Sequence, residues 1–141
     1  MLKSCSACGK IHDSKYICPQ KAQRIKDRQS YRRMENKKIY DFHRSQRWTD
    51  KSLTIRQRDN YCCQICLRNM YRAERQYETE DVSVHHINPL SDCWDERLDD
   101  GNLITLCRMH HEMAEKGEIC KEELRAIAEE QEQKTEAPSC G

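Results

Sequence analysis

Two short pairs of ligand-type residues constrain this chain more than any other feature. Cys63 and Cys66 form one pair, C-x2-C, and Cys107 and His110 form the other, C-x2-H, with forty residues between them. Brought together, the pairs supply the four ligands of a closed, tetrahedral structural zinc site. The cost of closing the intervening loop grows only slowly with its length, so a metal can hold it. Merely buried cysteines would not account for two such spacings. Cys62 can replace Cys63 only by losing the two-residue gap.

A staple of this kind is needed. The chain has 141 residues, 36% hydrophobic and 35% charged, with a single Phe. That is a thin supply for a core, and small domains bury only a modest share of their surface. No apolar run resembles a signal peptide or a membrane span, and the ten cysteines include two C-x-x-C pairs, Cys5/Cys8 and Cys63/Cys66, each followed by histidines. Both features favour zinc over disulfides and a cytoplasmic location. A second set, Cys5, Cys8, His12 and Cys18, can close around another zinc ion with short loops and Gly9 as its flexible point. Cys93, Cys120 and Cys140 have no partner at ligand spacing and read as free thiols.

The net charge of +1 conceals an asymmetry: residues 1–60 carry 16 Lys/Arg against 6 Asp/Glu, and residues 61–141 carry 9 against 18. A basic half joined to an acidic one points to a polyanionic partner, a solvated basic helix being the plainer reading. The expected organisation is a zinc knuckle at 1–19, a basic helical arm at 20–45, a metal-stapled domain at 46–119, and a charged helix and tail at 120–141. Trp48 is expected as a core anchor within an amphipathic segment at 46–59. Residues 82–87 read as a strand, 91–101 as a loop, 102–107 as a short apolar segment, and 108–116 as a helix stopped at Gly117.

The strand carries adjacent histidines, His85 and His86, whose side chains must point to opposite faces. Alone, such a pair is a core residue beside an exposed one. Here the order "VHHI", "NLITLC", "CRMHH" resembles the HNH nuclease family and its ββα-metal site. "CGKIHDSKYICP", the basic helix and "FHRSQRW…IRQRDNYCCQIC" are similar to small phage-type HNH endonucleases found beside DNA-packaging genes. The resemblance implies an α+β fold, a zinc-stapled, treble-clef-like ββα-metal domain. It implies His86 as general base, Asn102 as the residue ordering the loop and the base, and His85 with His111 as ligands of a catalytic ion. That ion is Mg²⁺, Mn²⁺, Ni²⁺ or Zn²⁺. His110 stands where the family more often has Cys, and Cys3His remains a sound zinc set.

The chemistry agrees. A neutral imidazole can take a proton from water near neutral pH, and a cation with only two protein ligands keeps open positions for substrate. Glu115, one turn after His111, reads as a solvent-facing carboxylate with a third-ligand role as the alternative. Arg97 and Arg108 are candidates for phosphate contacts. Double-stranded DNA is the expected partner, tracked by Arg24, Lys26, Arg28, Arg32, Arg33, Lys37 and Lys38 with little base reading. The phage resemblance adds the large terminase subunit as a partner. The competing readings are a non-catalytic zinc-stapled DNA-binding module or regulator, and a zinc scaffold that binds protein through helix 120–134.

Overall fold

A chain this polar must place its few apolar residues economically, and most of them lie beyond residue 50. The computed structural model describes residues 1–136; Cys140 lies outside the described residues. Two units divide between Asp41 and Phe42.

The first unit begins with an antiparallel hairpin, β1 (Leu2–Ser4) and β2 (Ile11–Asp13), in which Lys3 pairs with His12. Helix α1 (Pro19–His43) follows. Pro19 occupies the first turn, where its missing N–H costs nothing. The helix has no apolar stripe, and only Phe42, at its end, is buried. Side-chain pairs one turn apart support it instead: Gln23 to Asp27 at 2.8 Å, Tyr31 to Glu35 at 3.1 Å and Lys37 to Asp41 at 2.8 Å.

In the second unit, Ser45 caps α2 (Gln46–Arg58) by accepting the Trp48 N–H at 3.2 Å. Asn60 and Tyr61, both in the left-handed region at φ 55° and 56°, turn the chain sharply into the Cys63–Cys66 knuckle. The short helix α3 (Gln64–Leu67) follows. Strands β3 (Val82–His86) and β4 (Leu103–Cys107) then form an antiparallel pair with His86 opposite Leu103 and His85 opposite Ile104. Every residue of β4 is buried, so it is the spine of the core. Helix α4 (Arg108–Glu115) leaves directly from its end, and Gly117, at φ 76°, ends the turn that follows.

Helix α5 (Lys121–Glu136) falls where a charged helix is expected, and it also carries a buried face. Its buried Leu124, Ile127, Ala128 and Gln131 form one helical stripe, and the first three join the core with Ile65, Ile87, Ile104 and Leu106. The eight Glu and Lys residues of this helix hide that stripe in composition alone.

A buried ionic knot ties α2 to the rest of the unit. Arg58 satisfies all five of its N–H donors: Asp59 through two bonds of 2.9 and 3.1 Å, Glu132 at 2.8 Å, and the carbonyls of Asp100 and Leu103 at 2.9 and 2.7 Å. Asp59 in turn accepts the Thr105 N–H at 2.9 Å, and its carbonyl accepts from Gln64 at 2.9 Å. Helix α2, the cysteine knuckle, β4 and α5 therefore meet at one pair of fully desolvated charges.

Candidate active site and metal centres

The β3–β4–α4 turn is pinned by Cys63, Cys66, Cys107 and His110, all buried, whose ligand atoms lie within 4.8 Å of one another. His110 Nδ1 is 3.4 Å from the sulfurs of Cys63 and Cys66 and 3.3 Å from that of Cys107; the Cys66 and Cys107 sulfurs are 3.9 Å apart. A tetrahedral ion with bonds of about 2.3 Å spaces its ligand atoms roughly 3.7 Å apart, so this donor set fits one zinc ion. The tautomer agrees. His110 Nε2 lies 2.8 Å from the Tyr71 carbonyl, which can only accept, so Nδ1 is the free ligating atom. Burial pushes the Cys63 and Cys66 thiols up, and a bound cation is what makes thiolates favourable there.

On the other side of that turn, the His85 and His111 rings lie 4.7 Å apart, nearly perpendicular. His111 Nε2 is 3.2 Å from Glu115 Oε1, and the ligand atoms of His85, His111 and Glu115 all fall within 4.8 Å. The Glu115 side chain is 63% exposed yet turned to the histidine, so it joins the cluster from the solvent side. Two imidazoles and a carboxylate fit a divalent cation with open positions. Burial first, then the nearby His111, holds the His85 pKa down to about 3, so the ring is neutral and its lone pair is available near neutral pH. Ser83 Oγ, 2.8 Å from His111 Nδ1, fixes that ring. Sequence reasoning missed Ser83, though its place two residues before His85 on one strand face was a usable signal. An open cleft beside the cluster is lined by Ser83, Arg108, His111, Glu112 and Glu115.

His86 points into a different environment. Its ring stacks on Trp48 at 4.7 Å and 26°, with Phe42 and His43 at 5.9 and 6.0 Å. Trp48, expected in the core, is only half-buried and packs on this imidazole instead; Ile55 is the α2 residue in the core. His86 Nε2 lies 3.1 Å from the Arg97 carbonyl, so Nε2 carries the proton and the Nδ1 lone pair is free. Burial lowers the His86 pKa to about 4, which keeps the ring neutral.

The loop that supplies this carbonyl is held by Asn102, only 2% exposed. Its Oδ1 accepts the Asn88 N–H at 2.7 Å, and its Nδ2 donates to the carbonyls of Asn88 and Glu96 at 3.3 Å each. Glu96 also receives Asn88 Nδ2 and Arg125, both at 2.8 Å. Arg97 spends its guanidinium on Trp94, 4.9 Å above the ring. Arg108 lines the cleft and pairs at 3.6 Å with Glu112.

These positions match a known pattern. The sequence pattern described as HNH endonuclease covers residues 63–116, from the first zinc-type pair to just past Glu115. The crystal structure of the HNH endonuclease of the deep-sea thermophilic bacteriophage GVE2, solved with a manganese ion, is similar to this chain at 31% identity and a TM-score of 0.54. The match covers 64% of this chain and 91% of that one. The chain belongs to the HNH endonuclease family. No curated protein sequence matches it. The HNH pattern leaves out the N-terminal knuckle and helices α1, α2 and α5. Among the described residues, no helix is long and apolar enough to cross a membrane.

Proposed function

We propose that this HNH endonuclease hydrolyses phosphodiester bonds of duplex DNA, with His86 as general base and a divalent cation held by His85, His111 and Glu115. The observation that carries the reading is the division of labour on β3: His85 turns to the His111 and Glu115 cluster, and its neighbour His86 turns to an aromatic wall.

With Nε2–H donated to the Arg97 carbonyl, His86 can take a proton only at Nδ1. It accepts that proton from the water that attacks phosphorus. The stacked Trp48 limits rotation of the ring, and Asn102 holds the loop that anchors it. Ser83 keeps the His111 ligating atom turned to the cluster. When bound, the cation supplies Lewis-acid stabilisation for the charge building on the phosphate and the leaving 3′ oxygen. The manganese in the GVE2 enzyme and the mixed imidazole–carboxylate donors here support Mn²⁺ among the candidates Mg²⁺, Mn²⁺, Ni²⁺ and Zn²⁺. Zinc is the ion for Cys63, Cys66, Cys107 and His110. Similarity to a bacteriophage enzyme supports a role in phage DNA processing.

Cleavage of supercoiled plasmid across a panel of divalent metals tests the reading, with His86→Ala as the control. The expected result is metal-dependent cleavage that His86→Ala abolishes while the fold and DNA binding persist. Undiminished cleavage by His86→Ala would remove the base assignment, and cleavage by neither protein under any metal would favour a non-catalytic DNA-binding module.

A further inference from the structure

The first unit poses a physical problem that the nuclease reading leaves untouched. Of its 41 residues, only Cys18 is buried. Leu2, Ile11, Ile17 and Ile25 are 72%, 69%, 79% and 49% exposed, so hydrophobic burial cannot be what folds it. What does converge is a set of ligands. Cys5, Cys8, His12 and Cys18 bring their ligand atoms within 4.8 Å of one another, with Cys8 Sγ 2.9 Å from His12 Nε2.

The backbone is shaped for that convergence. Gly9, at φ 73°, donates to the Cys5 carbonyl at 2.8 Å, and Cys5 N–H reaches Lys10 at 2.9 Å, closing a tight turn around the first two sulfurs. His12 comes from β2. Cys18 stands immediately before α1, and its carbonyl accepts the Ala22 N–H at 2.9 Å, the first bond of the helix. The fourth ligand is thus also the residue that starts the basic helix. Residues 1–41 carry 11 Lys/Arg and 4 Asp/Glu, a balance of +7, against −6 for the other 100 residues.

The geometry points to a second structural zinc site at Cys5, Cys8, His12 and Cys18, whose loading folds the first unit and, through Cys18, sets the start of α1 as a basic helix that binds the DNA backbone. A helix of this composition has a costly nucleus and no core to lean on, so fixing its first turn raises its helical population. Cys5, Cys8 and His12 are only half-buried, whereas the other zinc-type set is fully buried, so the N-terminal ion is the one that chelators remove first. Zinc at this site therefore controls DNA affinity without touching the nuclease fold. The DNA half of the inference rests on the proposed nuclease function; the metal half does not.

The test uses the full chain in a His111→Ala background, which removes one of the three catalytic-ion ligands, stops cleavage and weakens zinc binding at that site. Elemental analysis should give two zinc ions per chain, falling to one in Cys8→Ser and returning to two in Cys8→His, which restores a ligand. Circular dichroism should show lost helix in Cys8→Ser. Its affinity for uncleaved duplex, followed by anisotropy, should fall about tenfold at low salt with a flatter salt slope. One zinc in the parent chain, or two retained in Cys8→Ser, overturns the site. Loss of a zinc with unchanged duplex affinity overturns the coupling. Duplex binding absent even from the two-zinc parent would count against the DNA reading and leave the metal site standing.

Discussion

Replacing Asn102 with Asp tests whether the HNH asparagine acts on the base through its loop. The substitution keeps the acceptor that binds the Asn88 N–H at 2.7 Å and turns the donor facing the Asn88 and Glu96 carbonyls into a third oxygen. Two long hydrogen bonds are lost and two partly buried carbonyls face an acceptor, a cost of about 1–3 kcal/mol. Chemical denaturation reads that cost directly. The catalytic effect is separate. Arg97, whose carbonyl holds His86 Nε2 at 3.1 Å, follows Glu96 immediately, so a shifted Glu96 turns the imidazole. Misplacing a reacting group by an ångström costs about a hundredfold in rate. Single-turnover cleavage at saturating enzyme should therefore slow by about that factor. Manganese affinity should not change, because Asn102 contacts neither His85 nor His111. A variant destabilised by the expected amount but cleaving within about twofold of wild type would show that Asn102 only braces the loop.

Three further outcomes follow from the geometry. Asp59→Ala strands the Arg58 guanidinium, 3% exposed, and should cost about 3–5 kcal/mol in urea unfolding, whereas replacing Arg58 and Asp59 together with apolar residues should cost much less. Trp48→Leu removes the ring stacked on His86 and admits water; the His86 pKa then rises from about 4 toward its ordinary value, so the acid limb of the rate–pH profile moves to higher pH and cleavage is lost sooner as pH falls. Glu115→Gln should weaken Mn²⁺ binding, read by electron paramagnetic resonance, by about tenfold or more while zinc content stays constant.

What the sequence made legible follows from the range over which each interaction acts. The convergence of Cys63, Cys66, Cys107 and His110 could be read because each pair is local and its spacing is that of a tetrahedral ligand set. The opposed directions of His85 and His86 could be read because strand alternation leaves no choice. Trp48 was misplaced for a related reason: helical spacing says that one face of α2 is covered, but not whether a core or an imidazole covers it. Glu115 was placed on the correct turn, yet periodicity cannot say that a carboxylate 63% exposed still bends back to 3.2 Å from His111.

The Arg58–Asp59 pair was invisible for a stronger reason. Adjacent opposite charges at a helix end look like ordinary surface, and their partners lie 42 to 74 residues away. Those same partners explain why the pair can be buried at all. Thr105 and Leu103 lie on β4, and Asp100 lies just before Asn102, so the charges are desolvated only where β4 packs against α2. The ionic knot ties α2 to the strand that carries Leu103 opposite His86, so a pair far from the histidine cluster in sequence holds the strand beside it.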